Sequence, residues 1–238
     1  MQTQIQSTLK LLLLLFTVIS LSGLTQSCQK AEDSADVNQD RIHQYLELFY
    51  DEAQDKTYAY AQFRFGNAIG TPLKLATNAT VSVEGNTMSW NDNFNLNRYE
   101  WEWTGKRSTA TFTYKDNDGN TFVNMATIND IGFPASLDTI SKDSSYNLTW
   151  TGNSLNADES VWVSINEDNE ANAATFNQNN EGATSITLTK DGLSKIDPSS
   201  VTLWIDRNNK PDIDQATTAG GIVVGKYRDT ATDVILIE

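Results

Sequence analysis

The sequence predicts an all-β protein, two β-sandwich domains in tandem behind a signal peptide and a short tether. Three observations predict it. Stretches such as Arg98–Thr104 (RYEWEWT) alternate strictly, with Tyr99, Trp101 and Trp103 on one face and Glu100, Glu102 and Thr104 on the other. Turn residues punctuate such stretches at short intervals, as in Gly70-Thr71-Pro72, Gly85-Asn86 and Asp118-Gly119. The composition supplies 6 Trp, 8 Tyr and 9 Phe with 4 Pro in 238 residues, which suits pleated strands joined by polar turns.

The first element, residues 1–27, is an export signal. Lys10 precedes an apolar run, Leu11–Ile19, that is too short to span a bilayer, for which roughly 20 residues are needed. Cys28 is the only cysteine, so an exported chain of this kind has no internal disulfide. The segment Leu24-Thr25-Gln26-Ser27-Cys28 resembles the lipobox of bacterial lipoproteins, with Thr25 where that family usually has an aliphatic residue. The resemblance implies lipidation at Cys28, a membrane partner through that anchor, and an outer-membrane lipoprotein that faces the periplasm or is exposed at the cell surface. An ordinary signal peptide that leaves Cys28 unmodified is the alternative. Residues 28–40 are polar and aperiodic, a flexible tether.

The first sandwich is expected at 41–130. Ile42, Tyr45, Leu46 and Phe49 fit helical spacing, yet Thr57–Phe65 (TYAYAQFRF) is a strand, and a hairpin with Tyr45–Tyr50 across Asp51–Lys56 is the preferred reading. Leu73 and Leu75 alternate after a turn, and Ala79–Glu84 faces Thr87–Trp90 across Gly85-Asn86. Tyr99, Trp101 and Trp103 then form a core face, and Asp116–Asn120 closes a hairpin between Ser108–Tyr114 and Thr121–Thr127.

Asn129–Ser145 lacks sustained alternation and is read as the boundary to a second sandwich at 131–238. Its strands are Tyr146–Trp150, Ser160–Ile165, Thr184–Thr189, Val201–Asp206, Gly221–Tyr227 and Asp233–Ile237, with long polar loops at Asn166–Glu181 and Asn208–Gly220. Tyr146, Leu148 and Trp150 share an apolar face, which makes Trp150 the core tryptophan of an immunoglobulin-like sandwich. The succession YNLTWTGNSL, ESVWVSI, GATSITLTKDGL, VTLWIDR and GGIVVGKY resembles the Ig-like β-sandwich domains of Bacteroidetes-type surface lipoproteins. That resemblance implies a fold and a location and carries no activity with it.

Charge and residue inventory exclude several chemistries. The net charge of −14 repels phosphate backbones, so no nucleic acid partner is expected. With one histidine, His43, and one cysteine, neither a Ser-His-Asp triad, a Cys-His pair nor a His- or Cys-rich zinc site is credible. No catalytic residues and no cofactor are expected. Calcium is kept open, because Asp206, Asn208, Asp212 and Asp214 gather oxygen ligands at a strand end. Asp116, Asn117, Asp118 and Asn120 do the same around Gly119, where a plain hairpin turn is the simpler reading.

Two tryptophans depart from the core pattern. Val161, Val163 and Ile165 form one face of their strand and Val201, Leu203 and Ile205 one face of theirs, so Trp162 and Trp204 point outward. An outward pair is either a contact with neighbouring structure or a ligand surface. The expected protein is therefore non-enzymatic and lipid-anchored, binding a glycan or protein or serving the envelope structurally. The alternative is a carboxylate-dependent glycan-processing enzyme, for which Glu100 and Glu102, two apart on one strand face, are the candidate pair.

Overall fold

The computed structural model describes residues 30–166, 172–197 and 199–238, and Ala31–Glu238 form one compact unit. The unit is all-β, as expected. It is built as one long sheet with two small sheets on the same side of it.

The chain opens with short β1 (Glu32–Asp33) and long β2 (Ile42–Asp51), which turns back into β3 (Lys56–Phe65). Pairing from Ile42↔Phe65 to Asp51↔Lys56 settles Arg41–Ala53 as strand and hairpin. The Asp51 carboxylate fixes the turn by accepting from the backbone N–H and side-chain amide of Gln54, at 3.2 and 2.6 Å. After β4 (Pro72–Lys74), β5 (Thr80–Val83) and β6 (Asn86–Thr87) form a tight hairpin whose two turn residues are Glu84 and Gly85, at φ 48° and 76°. The turn thus sits one residue earlier than Gly85-Asn86. Glu84 is held there because its carboxylate accepts from Thr111 N–H at 2.6 Å and its own N–H donates to Thr111 O at 2.9 Å.

The chain then changes sheet. Met88 is buried, and β7 (Ser89–Asn91) and β8 (Arg98–Thr104) join the long sheet beside β3, while β9 (Thr109–Lys115) and β10 (Thr121–Thr127) return to the small one, ordered β10-β9-β5-β6. Tyr99 is buried and Trp101 and Trp103 pack against the core, on the face the alternation assigned to them. Phe63 on β3 meets Tyr114 on β9 with ring centroids 4.4 Å apart, which locks the two sheets together.

The C-terminal half adds β11 (Thr139–Ser141), β12 (Tyr146–Thr149), β13 (Glu159–Ile165), β14 (Ala174–Gln178), β15 (Ser185–Leu188), the single-turn helix α1 (Lys190–Leu193), β16 (Ser200–Asn209) and β17 (Gly221–Ile237). β12 and β15 pair as the second small sheet. Leu148, Trp150, Ile186 and Leu188 are buried in one core with Val163 and Leu203. β14 occupies part of what the sequence presents as the Asn166–Glu181 loop. It escapes detection because Phe176 is its one large apolar residue.

The expected division at 130/131 does not separate two sheets. Strands Gly221–Tyr227 and Asp233–Ile237 are one strand, β17, and its first half pairs in parallel with β2, from Gly221↔Gln44 to Arg228↔Asp51. The long sheet therefore runs β1-β4-β3-β2-β17-β16-β13-β14 through both halves. Two sandwiches are present in the sense of two small sheets, but they share this one sheet. The segment expected as a linker is pinned as well: β11 pairs with the end of β17, and Asp130 O accepts from Arg207 Nη1 at 3.1 Å. A parallel pairing between distant segments leaves no local mark in a sequence, since its crossover is not a turn. Among the described residues no helix is long and apolar enough to cross a membrane.

Candidate ligand-binding face

Both small sheets pack on one side of the long sheet, and among the described residues no sheet covers its other side. Period two then decides what stands there. From β8 come Arg98, Glu100 and Glu102, with Glu100 opposite Tyr60 and Glu102 opposite Tyr58 of β3. Tyr60 and Tyr58 lie opposite Glu47 and Phe49 of β2, and Phe49 lies beside Lys226 of β17. Asp206 and Asn208 of β16 face Arg228 and Lys226, and Trp162 of β13 faces Asp206.

These side chains form a connected row. The Arg98 guanidinium lies 3.8 Å over the Tyr60 ring, and Tyr60 is parallel to Tyr58 within 5° at 6.0 Å. Tyr58 continues to Phe49 at 5.9 Å, and Lys226 Nζ sits 5.0 Å over Phe49. Lys226 also pairs with Asp206 at 3.0 Å, and Arg228 donates to both Asp206 oxygens at 2.7 Å. Glu47 stands beside the row and accepts from Tyr45 O–H at 3.0 Å. Burial raises the Glu47 pKa, and the Tyr45 hydroxyl, Lys226 and Arg98 only partly offset it. The Tyr60 hydroxyl is pushed up to about 12, chiefly by burial.

Among the described residues at least two hollows open on this face. The larger, about 570 Å³, is lined by Tyr58, Tyr60, Ser89, Asn91, Arg98, Glu100, Trp101 and Glu102. Within it Glu100 pairs with Arg98 and accepts from Asn91 Nδ2 at 2.9 Å, while Glu102 pairs with Lys56 at 3.0 Å. The smaller, about 310 Å³, is lined by Tyr45, Ser160, Trp162, Asn208, Lys210, Ile222 and Val224.

The outward placement of Trp162 and Trp204 is what the structure has: Trp162 is 43% exposed and lines the smaller hollow, and Trp204 is half-buried on the same face, across from Ser164. The oxygen cluster is not brought together. The Asp206 carboxylate is taken by Lys226 and Arg228, and Asp212 and Asp214 are exposed on the loop after β16. Among the described residues no group of three or more His, Cys, Asp or Glu is placed to hold a metal ion. Around Gly119, Asp116 is used to close its own turn, accepting from Asn120 N and Nδ2 at 2.8 and 2.9 Å. His43 is buried on β2, and burial followed by the charge of Arg64 lowers its pKa. Cys28 lies outside the described residues.

Sequence reasoning did not single out Tyr58, Tyr60, Phe49, Arg98, Ser89 or Asn91. One signal was available. In TYAYAQF the tyrosines alternate with alanines, so a strand with small residues on its core side carries its bulk outward.

A β-sandwich with one open, aromatic sheet face is the class this structure defines. No protein-family model matches the sequence, and neither does any curated protein. The chain is similar, at 13% identity and a TM-score of 0.23, to a chain in a solved structure described as "Structural insight into host cell surface retention of a 1.5-MDa bacterial ice-binding adhesin". The match covers 84% of this chain and 66% of that one, so the chain spans just under two thirds of its length.

Proposed function

We propose that the protein is a non-enzymatic, lipid-anchored binding protein of the cell surface or outer membrane, and that the open face of the long sheet holds an extracellular glycan or protein. The observation that carries this reading is the aromatic content of that face. A sheet face turned to water is normally polar, yet this one presents Tyr58, Tyr60, Phe49, Trp204 and a 43% exposed Trp162. Exposed apolar area forgoes roughly 25 cal/mol per Å² of burial, and connected patches of it mark interaction surfaces. Against the glycosidase alternative, Glu100 and Glu102 are each engaged by a cation, whereas that chemistry requires one carboxyl kept free to donate a proton.

The test uses the mature chain with Trp162→Ala and Trp204→Ala on glycan and extracellular-protein arrays. Both variants are expected to keep the wild-type melting temperature and lose array binding; lost stability with unchanged binding refutes the reading. Hydrolysis of a sugar substrate that Glu100→Gln abolishes would replace it with the enzyme. For the anchor, mass spectrometry of the protein expressed in a lipoprotein-processing host should find acyl chains on the wild type and none on Cys28→Ser.

A further inference from the structure

We propose that the larger hollow, between β3, β7 and β8, is a subsite for a neutral saccharide ring, with Tyr58 and Tyr60 as its aromatic wall and Ser89, Asn91, Glu100 and Glu102 as its hydrogen-bonding wall. This rests on the reading of the open face as a binding surface. Its volume of about 570 Å³ falls inside the roughly 300–1,000 Å³ of small-molecule sites.

The chemistry of the walls selects the ligand by elimination. A cationic ligand finds the cation positions filled, because Arg98 already covers Tyr60 at 3.8 Å and Lys56 already holds Glu102 at 3.0 Å. An anionic ligand meets two carboxylates and a chain of net charge −14. A wholly apolar ligand strips water from Asn91, Arg98 and the two carboxylates without returning a hydrogen bond. A sugar ring offers an apolar C–H face to Tyr58 and hydroxyls to the polar wall, and carries no charge. The two carboxylates are balanced, Glu100 by Arg98 within the hollow and Glu102 by Lys56 from beyond its lining, so they polarise hydroxyls without demanding a counter-charge.

The site is also built before a ligand arrives. Tyr58 O–H donates to Gln54 Oε1 at 2.9 Å, Arg98 is fixed between Tyr60 and Glu100, and Asn91 is fixed by Glu100 at 2.9 Å. Such preorganisation lowers the ordering cost of binding. A donor remains available as well: among the described residues the Ser89 hydroxyl, which lines the hollow, has no hydrogen-bond partner.

Isothermal titration of the mature chain with neutral glucose, xylose, mannose and N-acetylglucosamine oligomers, and with oligogalacturonate as the acidic counterpart, tests this. Tyr58→Ala and Asn91→Ala are expected to weaken binding of a neutral oligomer about tenfold at an unchanged melting temperature. Tyr58→Phe keeps the ring and should bind nearly as the wild type does. Met125→Ala, on the far side of the molecule, serves as the control. Neutral oligomers that still bind Tyr58→Ala and Asn91→Ala but not Trp162→Ala would overturn the subsite and leave the binding face intact. Preference for oligogalacturonate, or array binding to proteins alone, would overturn the neutral-sugar assignment and likewise spare the broader reading. Absence of binding to every glycan and protein probe would overturn both.

Discussion

Glu159 and Arg207 are the perturbation whose outcome the structure constrains most. Glu159 is 3% and Arg207 1% exposed, and they form a bidentate pair, Nε to Oε1 at 2.9 Å and Nη2 to Oε2 at 2.6 Å. The carboxylate also accepts from Asn156 N and Asn129 Nδ2, each at 2.7 Å. Arg207 spends its remaining donors on Asp130 O, Asn153 O and Ser154 O, at 3.1, 2.9 and 3.0 Å. Glu159→Ala leaves a buried guanidinium without a counter-charge and strands the two asparagine donors, a loss of about 3–5 kcal/mol. That is a large share of the roughly 5–15 kcal/mol that holds a domain folded. Replacing both partners by Met should recover much of the loss, because the unpaired charge goes too. The sign of the pH dependence follows from Glu159. Burial alone would raise its pKa, but the bonds from Arg207, Asn156 and Asn129 and the Arg207 charge bring it below the ordinary 4.5. A depressed carboxyl contributes stability above its unfolded-state pKa and loses it as pH falls through the folded value. The wild-type advantage over Glu159→Gln should thus be full at neutral pH and shrink as pH falls below about 4.5. Urea denaturation followed by tryptophan fluorescence measures all three. A cost below about 1 kcal/mol for Glu159→Ala, or a gap that widens in acid, refutes the reasoning.

Trp150→Ala should cost about 3–5 kcal/mol in the same assay, since Trp150 is 4% exposed in the core and its indole N–H donates to Asn153 O at 3.3 Å. Gln44 is fully buried on β2 and neither polar side-chain atom has a partner among the described residues, so Gln44→Met should be neutral or stabilising by about 1 kcal/mol; clear destabilisation would show a hydrogen-bonded amide there. Gly225 lies where β17 passes beneath the end of β10, and a Cβ would stand 1.9 Å from Thr127 O, a backbone atom that cannot swing away. Gly225→Ala should therefore cost at least about 1–3 kcal/mol, and a melting temperature equal to wild type would mean the two strands do not approach this closely.

What the sequence determined by itself was local. Alternation in RYEWEWT turned Tyr99, Trp101 and Trp103 toward the core and Glu100 and Glu102 away from it. The same period turned Trp162 outward, and turn chemistry placed the hairpins at Asp51–Lys56 and Asp116–Asn120. These features rest on neighbours in the chain, and so the chain displays them. Even locally, β14 was too short and too polar to register, and Glu84 took a turn position that residue type alone gives to Gly85-Asn86. Tertiary structure decided the rest. Nothing near Gly221–Arg228 announces a parallel partner at Gln44–Asp51, and nothing near Glu159 announces Arg207. Asp206 reads as a metal ligand beside Asn208, Asp212 and Asp214, until β17 brings Lys226 and Arg228 against it. Tyr58 and Tyr60 share a hollow with Ser89, Asn91 and Arg98 only because β8 pairs with β3 and β7 with β8. Period two names two faces for every strand, but which face stays open depends on which sheets pack across it, and that is a property of the assembled chain.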